Sequence, residues 1–170
     1  MARGRIKLQI EMITIRKATK EDSVHIHRLI TELAVYEKLE HEMKATVEEL
    51  GTSIFDNGQA NVIMAEWDGE VVGYALYFYS YSTFLAKAGI YLEDLYVEQK
   101  YRGKGIGKTL LSELAKITVD NGFGRLEWSV LDWNKPAIDF YESIGAVPMQ
   151  GWTMNRLTGE PLEKLSKRKE

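Results

Sequence analysis

Apolar and polar side chains alternate over residues 12–16, as in a half-buried strand. Val24, Ile26, Leu29, Ile30 and Leu33 then recur at helical spacing, predicting a helix that Thr19 caps and that reaches Tyr36 or Glu37. Thr46 followed three positions on by Glu49 reads as a capping box, opening a short helix to about Phe55 that Asn57 and Gly58 end. β-forming residues fill 61–67 and 70–79, and only Asp68 and Gly69 part them, a pair suited to a two-residue hairpin turn. Residues 80–89 read as a loop and 90–97 as a strand. Ile106, Leu110, Leu111, Leu114 and Ile117 predict a helix ending near Asn121 and Gly122. A strand at 126–131, a helix opened by Asn134 with Pro136 and stopped at Gly145, and a last strand at 152–157 complete the chain. The order β, α, α, β, β, β, α, β, α, β is that of a mixed α/β domain with an antiparallel hairpin in its first half, and not of a regular doubly wound fold.

Composition narrows the class. A chain of 170 residues, 45% hydrophobic and 11% aromatic, buries a sizeable core and fits one domain, here 12–170, with 1–11 as a leader or strand extension. The absence of cysteine removes disulfides, thiolate zinc sites and a cysteine nucleophile, leaving a cytoplasmic enzyme as the expectation. A net charge of -3 argues against general nucleic-acid binding, and an acidic body mildly favours a cationic substrate. No apolar run approaches the ~20 residues that cross a bilayer, so no membrane association is expected.

Glycines at 103, 105 and 107 lie between a predicted strand and an amphipathic helix, where bare amides and a helix N-terminus hold an anion, phosphate above all. Arg102, Lys104 and Lys108 add positive charge, and Lys108 sits in the first helical turn, where the helix dipole gives a cation no help. A P-loop needs glycine five residues before Gly107, and that position is Arg102. A dinucleotide fingerprint needs glycine spacings of two and three, whereas these are two and two. Taken alone, the stretch also suits a surface turn with glycine for geometry and basic residues for solubility.

Arg102, Gly105 and Gly107 resemble the phosphate turn of the GCN5-related N-acetyltransferases (GNAT), Arg or Gln, two residues, Gly, one residue, Gly or Ala. The likeness covers about residues 13–157. Within that superfamily, Tyr91, Leu92, Glu93 and Asp94, with Asn134 and Tyr141, look like the diamine acetyltransferase group. Tyr81, Ser82 and Thr83, and the run Val130, Leu131, Asp132, Trp133 and Asn134, look like its thialysine-acetylating branch. The resemblance implies a mostly antiparallel twisted sheet flanked by helices, acetyl-coenzyme A as cosubstrate, and a homodimer with the substrate site near the subunit boundary. It implies that Leu95, Tyr96 and Val97 pair through their backbone with the pantetheine arm. Arg102, Gly103, Lys104, Gly105, Ile106, Gly107 and Lys108 would hold the pyrophosphate, and Asn134, Lys135, Pro136 and Ala137 would border the same molecule.

An alkyl amine of pKa ~10.4 is about one part in two to three thousand unprotonated at pH 7, so a base is useful. Period-two counting places Glu93 on one strand face with Tyr91, Leu95 and Val97, apolar surroundings that raise a carboxyl pKa, and points Asp94 the other way. An ion pair at a strand end is the plainer reading of either carboxylate. By resemblance Glu93 is the base, acting through ordered water, Asp94 its support, and Tyr141 the acid that protonates the departing thiolate. Core packing beside Phe140 is the alternative for Tyr141.

Tyr36 and Glu37 fall where the family contacts the amine, against the plainer reading of a solvated helix end. Ser82 and Gln150 replace two acidic residues of the polyamine-acetylating branch, which favours thialysine, a lysine-like amine or a short diamine over spermine. Phe84 and Trp128 are candidate walls. His25, His27 and His41 lack ligand spacing and read as surface residues, and no metal is required. A protein lysine or N-terminal acetyltransferase, and a non-catalytic acyl-coenzyme A sensor, are the competing functions.

Overall fold

A computed structural model describes residues 12–167, so the expectation for 1–11 lies outside the described residues. The described residues fall into two compact units, divided between Ser129 and Val130.

The first unit is a five-stranded sheet in sequence order. It contains β1 (Ile13–Lys17), β2 (Asn61–Trp67), β3 (Glu70–Ser82), β4 (Lys87–Val97) and β5 (Leu126–Trp128). Pairing is antiparallel from β1 to β4, and β4 meets β5 in parallel. Asp68 and Gly69 both adopt positive φ between β2 and β3, which matches the strand twist in a tight hairpin. The predicted loop at 80–89 shrinks to four residues, because β3 and β4 stay paired out to Ser82 and Lys87. Local composition hides such a ladder, since a strand edge is decided by its partner.

Successive strand residues face opposite ways, and each face takes a helix. On one, Met64 and Tyr74 pack with Tyr96 against Ile26 and Leu29 of α1 (Ser23–Glu37). On the other, α3 (Ile106–Asp120) buries Ile106, Leu110 and Leu114 completely, or nearly so. Between α1 and β2, the Thr46 and Glu49 capping box forms as expected, with Glu49 N–H donating to Thr46 Oγ1 at 3.2 Å and Thr46 N–H to Glu49 Oε2 at 2.8 Å. The short α2 (Val47–Leu50) it opens widens into a π-helical turn at Gly51–Asp56.

Thr19 opens a single 3-10 turn ahead of α1, and its N–H donates to Asp22 Oδ2 at 2.7 Å. Asp22 is buried and takes both Nη atoms of Arg16, at 2.7 and 2.8 Å, while Arg16 Nε donates to Glu66 at 2.6 Å. This fork ties β1, β2 and the start of α1 together, and the Arg16 guanidinium holds the Asp22 carboxyl down at about 2.

The second unit holds α4 (Lys135–Ser143) and α5 (Gly159–Ser166). Asn134 caps α4 by accepting from Ala137 N–H at 3.4 Å, with Pro136 in the first turn. Two strand expectations need correction. The strand at 126–131 ends at Trp128, and residues 152–157 form no strand. Trp152 and Met154 are largely exposed and the flanking Gly151 and Gly159 have positive φ, so this segment has β-forming residues without a ladder to join. No helix among the described residues is long and apolar enough to cross a membrane.

The Arg16–Asp22 fork makes stability depend on pH. A depressed carboxyl pKa adds stability that is present above pH 4 and is lost as pH falls towards 2. Asp22→Asn should cost about 2 kcal/mol at pH 7, the equivalent of a shift from 3.8 to about 2. Urea unfolding at pH 7 and pH 2.5 checks it, with the deficit of the variant expected to shrink at the lower pH.

Candidate active site

The site begins with a fault in β4. Tyr77 pairs with Leu92 and Leu76 with Asp94, leaving Glu93 as an extra residue without a cross-strand partner, a β-bulge. The bulge reverses the alternation that the sequence predicts. Tyr91, opposite Phe78, now shares its face with Asp94 and Tyr96, opposite Leu76 and Tyr74, while Leu92 lies on the other face. The expectation that Glu93 sits with Tyr91 among apolar side chains is therefore wrong: Glu93 is exposed, and Asp94 takes the buried place.

Burial raises Asp94 to about 6 against its ordinary 3.8; Tyr74 opposes the rise by donating its hydroxyl to Asp94 Oδ2 at 3.0 Å, and the charges of Glu93 and Glu37 reinforce it. Glu37, the last residue of α1, is itself raised by burial. Three carboxylates from two elements thus share one electrostatic environment, as a cation would require. Tyr74 was not anticipated, because only the register of β3 on β4 brings residues 74 and 94 together.

The bulge is followed by an opening of the sheet. Parallel pairing of β4 with β5 covers Ile90, Tyr91 and Leu92 opposite Leu126, Glu127 and Trp128. Among the described residues no strand pairs with that edge of β4 beyond Leu92, so Leu95, Tyr96 and Val97 present main-chain amides and carbonyls along it. An extended ligand carrying amides can add to such an edge as a strand would. Trp128 stands half-buried where the two strands part.

Beyond Val97 lies the glycine turn. Gly103 and Gly105 have φ of 77° and 83°, and a Cβ at either would meet nothing within 4 Å, so the turn is an open cradle. Gly105 caps α3, whose first bond closes only at Thr109 N–H to Gly105 O, leaving the N–H groups of Ile106, Gly107 and Lys108 without helical acceptors. That arrangement fits a pyrophosphate. Arg102 turns inward: its Nε donates to Val97 O at 3.0 Å, and its guanidinium lies 4.5 Å from the ring centre of Tyr36 and 5.3 Å from that of Tyr96. Arg102 thereby fastens the cradle to the end of α1, where Tyr36 and Glu37 sit. Lys104 lies over the Trp67 ring at 4.3 Å, and Lys108 is exposed on α3.

Ser82 and Phe84 belong elsewhere in this unit. Ser82 is buried at the end of β3, where its Oγ accepts from Leu85 N–H at 3.3 Å, and Phe84 is 97% exposed in the turn beyond. Lys87, the partner of Ser82, is seven steps of β4 from Asp94, roughly 23 Å at ~3.3 Å per residue. Of the histidines, His27 is half-buried and its Nε2 contacts Ala45 O at 3.1 Å, so it is not the surface residue expected. In the second unit Asn134 is buried as the cap of α4, with Lys135, Pro136 and Ala137 in its first turn and Tyr141 half-buried beside Phe140.

A sheet that opens beside a bulge and runs into a glycine turn at a helix N-terminus suits an acyl-coenzyme A-dependent transferase. The Acetyltransferase (GNAT) family profile matches residues 20–146, and the chain belongs to that family. It is an N-acetyltransferase, and enzymes of this family use acetyl-coenzyme A. The chain is 39% identical to the thialysine N-epsilon-acetyltransferase of Bos taurus over 166 residues, covering 91% of this chain and 97% of that one. It is 34% identical to the L-ornithine N5-acetyltransferase of Arabidopsis thaliana, with 90% and 87% covered. Among solved structures, an integron cassette protein from the mobile metagenome of V. cholerae superposes with a TM-score of 0.78 at 28% identity, covering 92% of this chain and 98% of that one.

Raising a carboxyl pKa in the fold has a thermodynamic sign. The folded chain holds the Asp94 proton more tightly than the unfolded chain, so that contribution is complete below about pH 4 and is lost as pH rises through about 6. Ionised Asp94 then costs about 3 kcal/mol at pH 8. Asp94→Asn should gain stability relative to the native protein between pH 5 and pH 8. Urea unfolding at both values decides it, and a difference that does not change with pH would contradict the burial of Asp94.

Proposed function

We propose that the enzyme transfers the acetyl group of acetyl-coenzyme A to the primary amine of a small cationic substrate, thialysine, a lysine-like amine or a short diamine, by direct attack in a ternary complex. The observation that carries this reading is the convergence of Glu37, Glu93 and Asp94 beside the free edge of β4. A monocation or dication loses little of its hydration energy there, because three carboxylates replace the water. Tyr36 at the end of α1 supplies an aromatic neighbour. The names of the bovine and Arabidopsis relatives, thialysine and L-ornithine acetyltransferases, support the same substrate class.

Acetyl-coenzyme A supplies an activated acyl group as a thioester. In the proposed arrangement the N–H groups of Ile106, Gly107 and Lys108, together with those of Gly103 and Gly105, hold its pyrophosphate. Leu95, Tyr96 and Val97 align the pantetheine arm, and residues of the first turn of α4, Lys135, Pro136 and Ala137 after the Asn134 cap, border it. The amine nitrogen forms the new C–N bond as the C–S bond breaks. Before attack the ammonium gives one proton through water to Glu93, whose exposure gives it contact with solvent; as the thiolate leaves, Tyr141 protonates it and recovers a proton from the acylated nitrogen. Net products are the amide, coenzyme A thiol and one proton.

A homodimer working in the cytoplasm belongs to this reading. Tyr79, Tyr81, Phe84 and Leu85 expose apolar surface on the β3–β4 hairpin, a suitable contact for a second copy. Phe84→Glu should then yield monomers by sedimentation velocity at concentrations where the native protein is dimeric.

Thiol release from acetyl-coenzyme A with a panel of amines tests the activity, and thialysine or ornithine is expected to stimulate it more than a lysine-containing peptide. No stimulation by any amine would sink the proposal. Tyr141→Phe should lower kcat about 10²-fold or more while leaving the Kd for coenzyme A within a few-fold. Parallel losses in kcat and cofactor affinity would remove Tyr141 from the acid role.

A further inference from the structure

Tyr74 is fully buried in the α1 face of the sheet, in one hydrophobic cluster with Ile26, Leu29 and Met64. A phenylalanine would fill that space equally well. The hydroxyl makes the difference, because burying it without an acceptor is costly, and its acceptor here is Asp94 Oδ2 at 3.0 Å. That meeting depends on the bulge. Tyr74 pairs across the ladder with Tyr96 and Asp94 with Leu76, so the two are diagonal neighbours on one face, which they reach only because Glu93 is looped out. The bond occupies Oδ2 and leaves Oδ1 without a hydrogen-bond partner among the described residues.

Resting on the amine acetylation proposed above, we infer that Tyr74 is a positioning residue of the amine site. Its hydroxyl fixes the Asp94 carboxylate so that Oδ1 meets the substrate ammonium. A ring locked by core packing can hold a carboxylate in one rotamer more firmly than a surface side chain can.

The charges around Asp94 give Tyr74 a second consequence. Burial, Glu93 beside it on β4 and Glu37 at the end of α1 all favour the protonated acid, and the Tyr74 hydroxyl favours the carboxylate. In turn the Tyr74 phenol is pushed well above its ordinary range by burial and by Asp94, so it remains a donor throughout the working pH range. Substrate binding to Asp94 requires that its proton leave. Tyr74 therefore lowers the pH below which the amine is refused, against the burial that raises it.

The test compares the native enzyme with Tyr74→Phe and Asp94→Asn, measuring kcat/KM for the amine from pH 5 to 9 at saturating acetyl-coenzyme A. The Asp94 carboxyl is followed in parallel by carbon-13 NMR. In Tyr74→Phe the NMR midpoint and the acid limb of kcat/KM should rise together by about one pH unit, which is about a tenfold loss on the acid side and little change at pH 9. The Kd for coenzyme A should be unchanged, and Asp94→Asn should lack that acid limb. An NMR midpoint that rises while the acid limb stays fixed overturns the inference, as does an equal loss at every pH, the mark of a purely structural tyrosine. If Tyr74→Phe does not fold, a retained acid limb in Asp94→Asn overturns it independently. A native enzyme that acetylates no amine defeats the substrate proposal itself, an outcome distinct from active enzyme with an unmoved limb.

Discussion

The rest of the site depends on the failure of β4 to remain a regular strand. One residue too many, Glu93, sits against β3, and pairing with β5 stops at Leu92. Regular pairing would satisfy every main-chain group in the ladder and leave nothing for a ligand. Ending it early leaves the amides and carbonyls of residues 95–97 facing outward, in line with the cradle formed at 102–107. An unpaired main-chain edge is thus left leading into the glycine turn.

The same defect distributes charge. Shifting the alternation by one residue exchanges the surroundings of two adjacent carboxyls, so Glu93 reaches solvent while Asp94 is drawn beneath it and raised to about 6. Two acids of similar intrinsic strength acquire different surroundings from a single backbone irregularity. Arg102 completes the arrangement by clasping Val97 O and lying on Tyr36 and Tyr96, which holds the helix end bearing Glu37 against the end of the strand bearing Asp94. Its guanidinium is tied into the scaffold beside the glycine turn.

Such an arrangement carries a stability cost, because ionised Asp94 in a mostly buried setting is unfavourable at neutral pH. The opposite face of that balance lies at the start of α1, where Asp22 is buried but forked by Arg16 and held at about 2. Both are buried acids, and the difference is one cation. A fold that can satisfy Asp22 with a local arginine leaves Asp94 with a phenol, which is consistent with reserving its charge for a cation from outside.

Much was legible in the chain itself. The hairpin at Asp68 and Gly69, the capping box at Thr46, the helices around Leu29 and Leu110, and the glycine turn at 102–107 are local features, written in spacing and in residues whose φ preferences or side-chain bonds act over a few positions. Family membership followed from the same kind of signal, a glycine turn in the right order of elements. Other features were decided in three dimensions. Residues 152–157 have strand-like composition but no ladder, residues 80–89 look like a loop but are mostly paired, and Ser82 and Phe84 lie far along the hairpin from the carboxylates. Above all, period-two counting placed Glu93 in the apolar environment and the register placed Asp94 there. Local chemistry sets the elements because its causes are near in sequence; register, bulge and burial belong to partners many residues away, so only the tertiary structure could choose which carboxyl is buried and set Tyr74 beneath it.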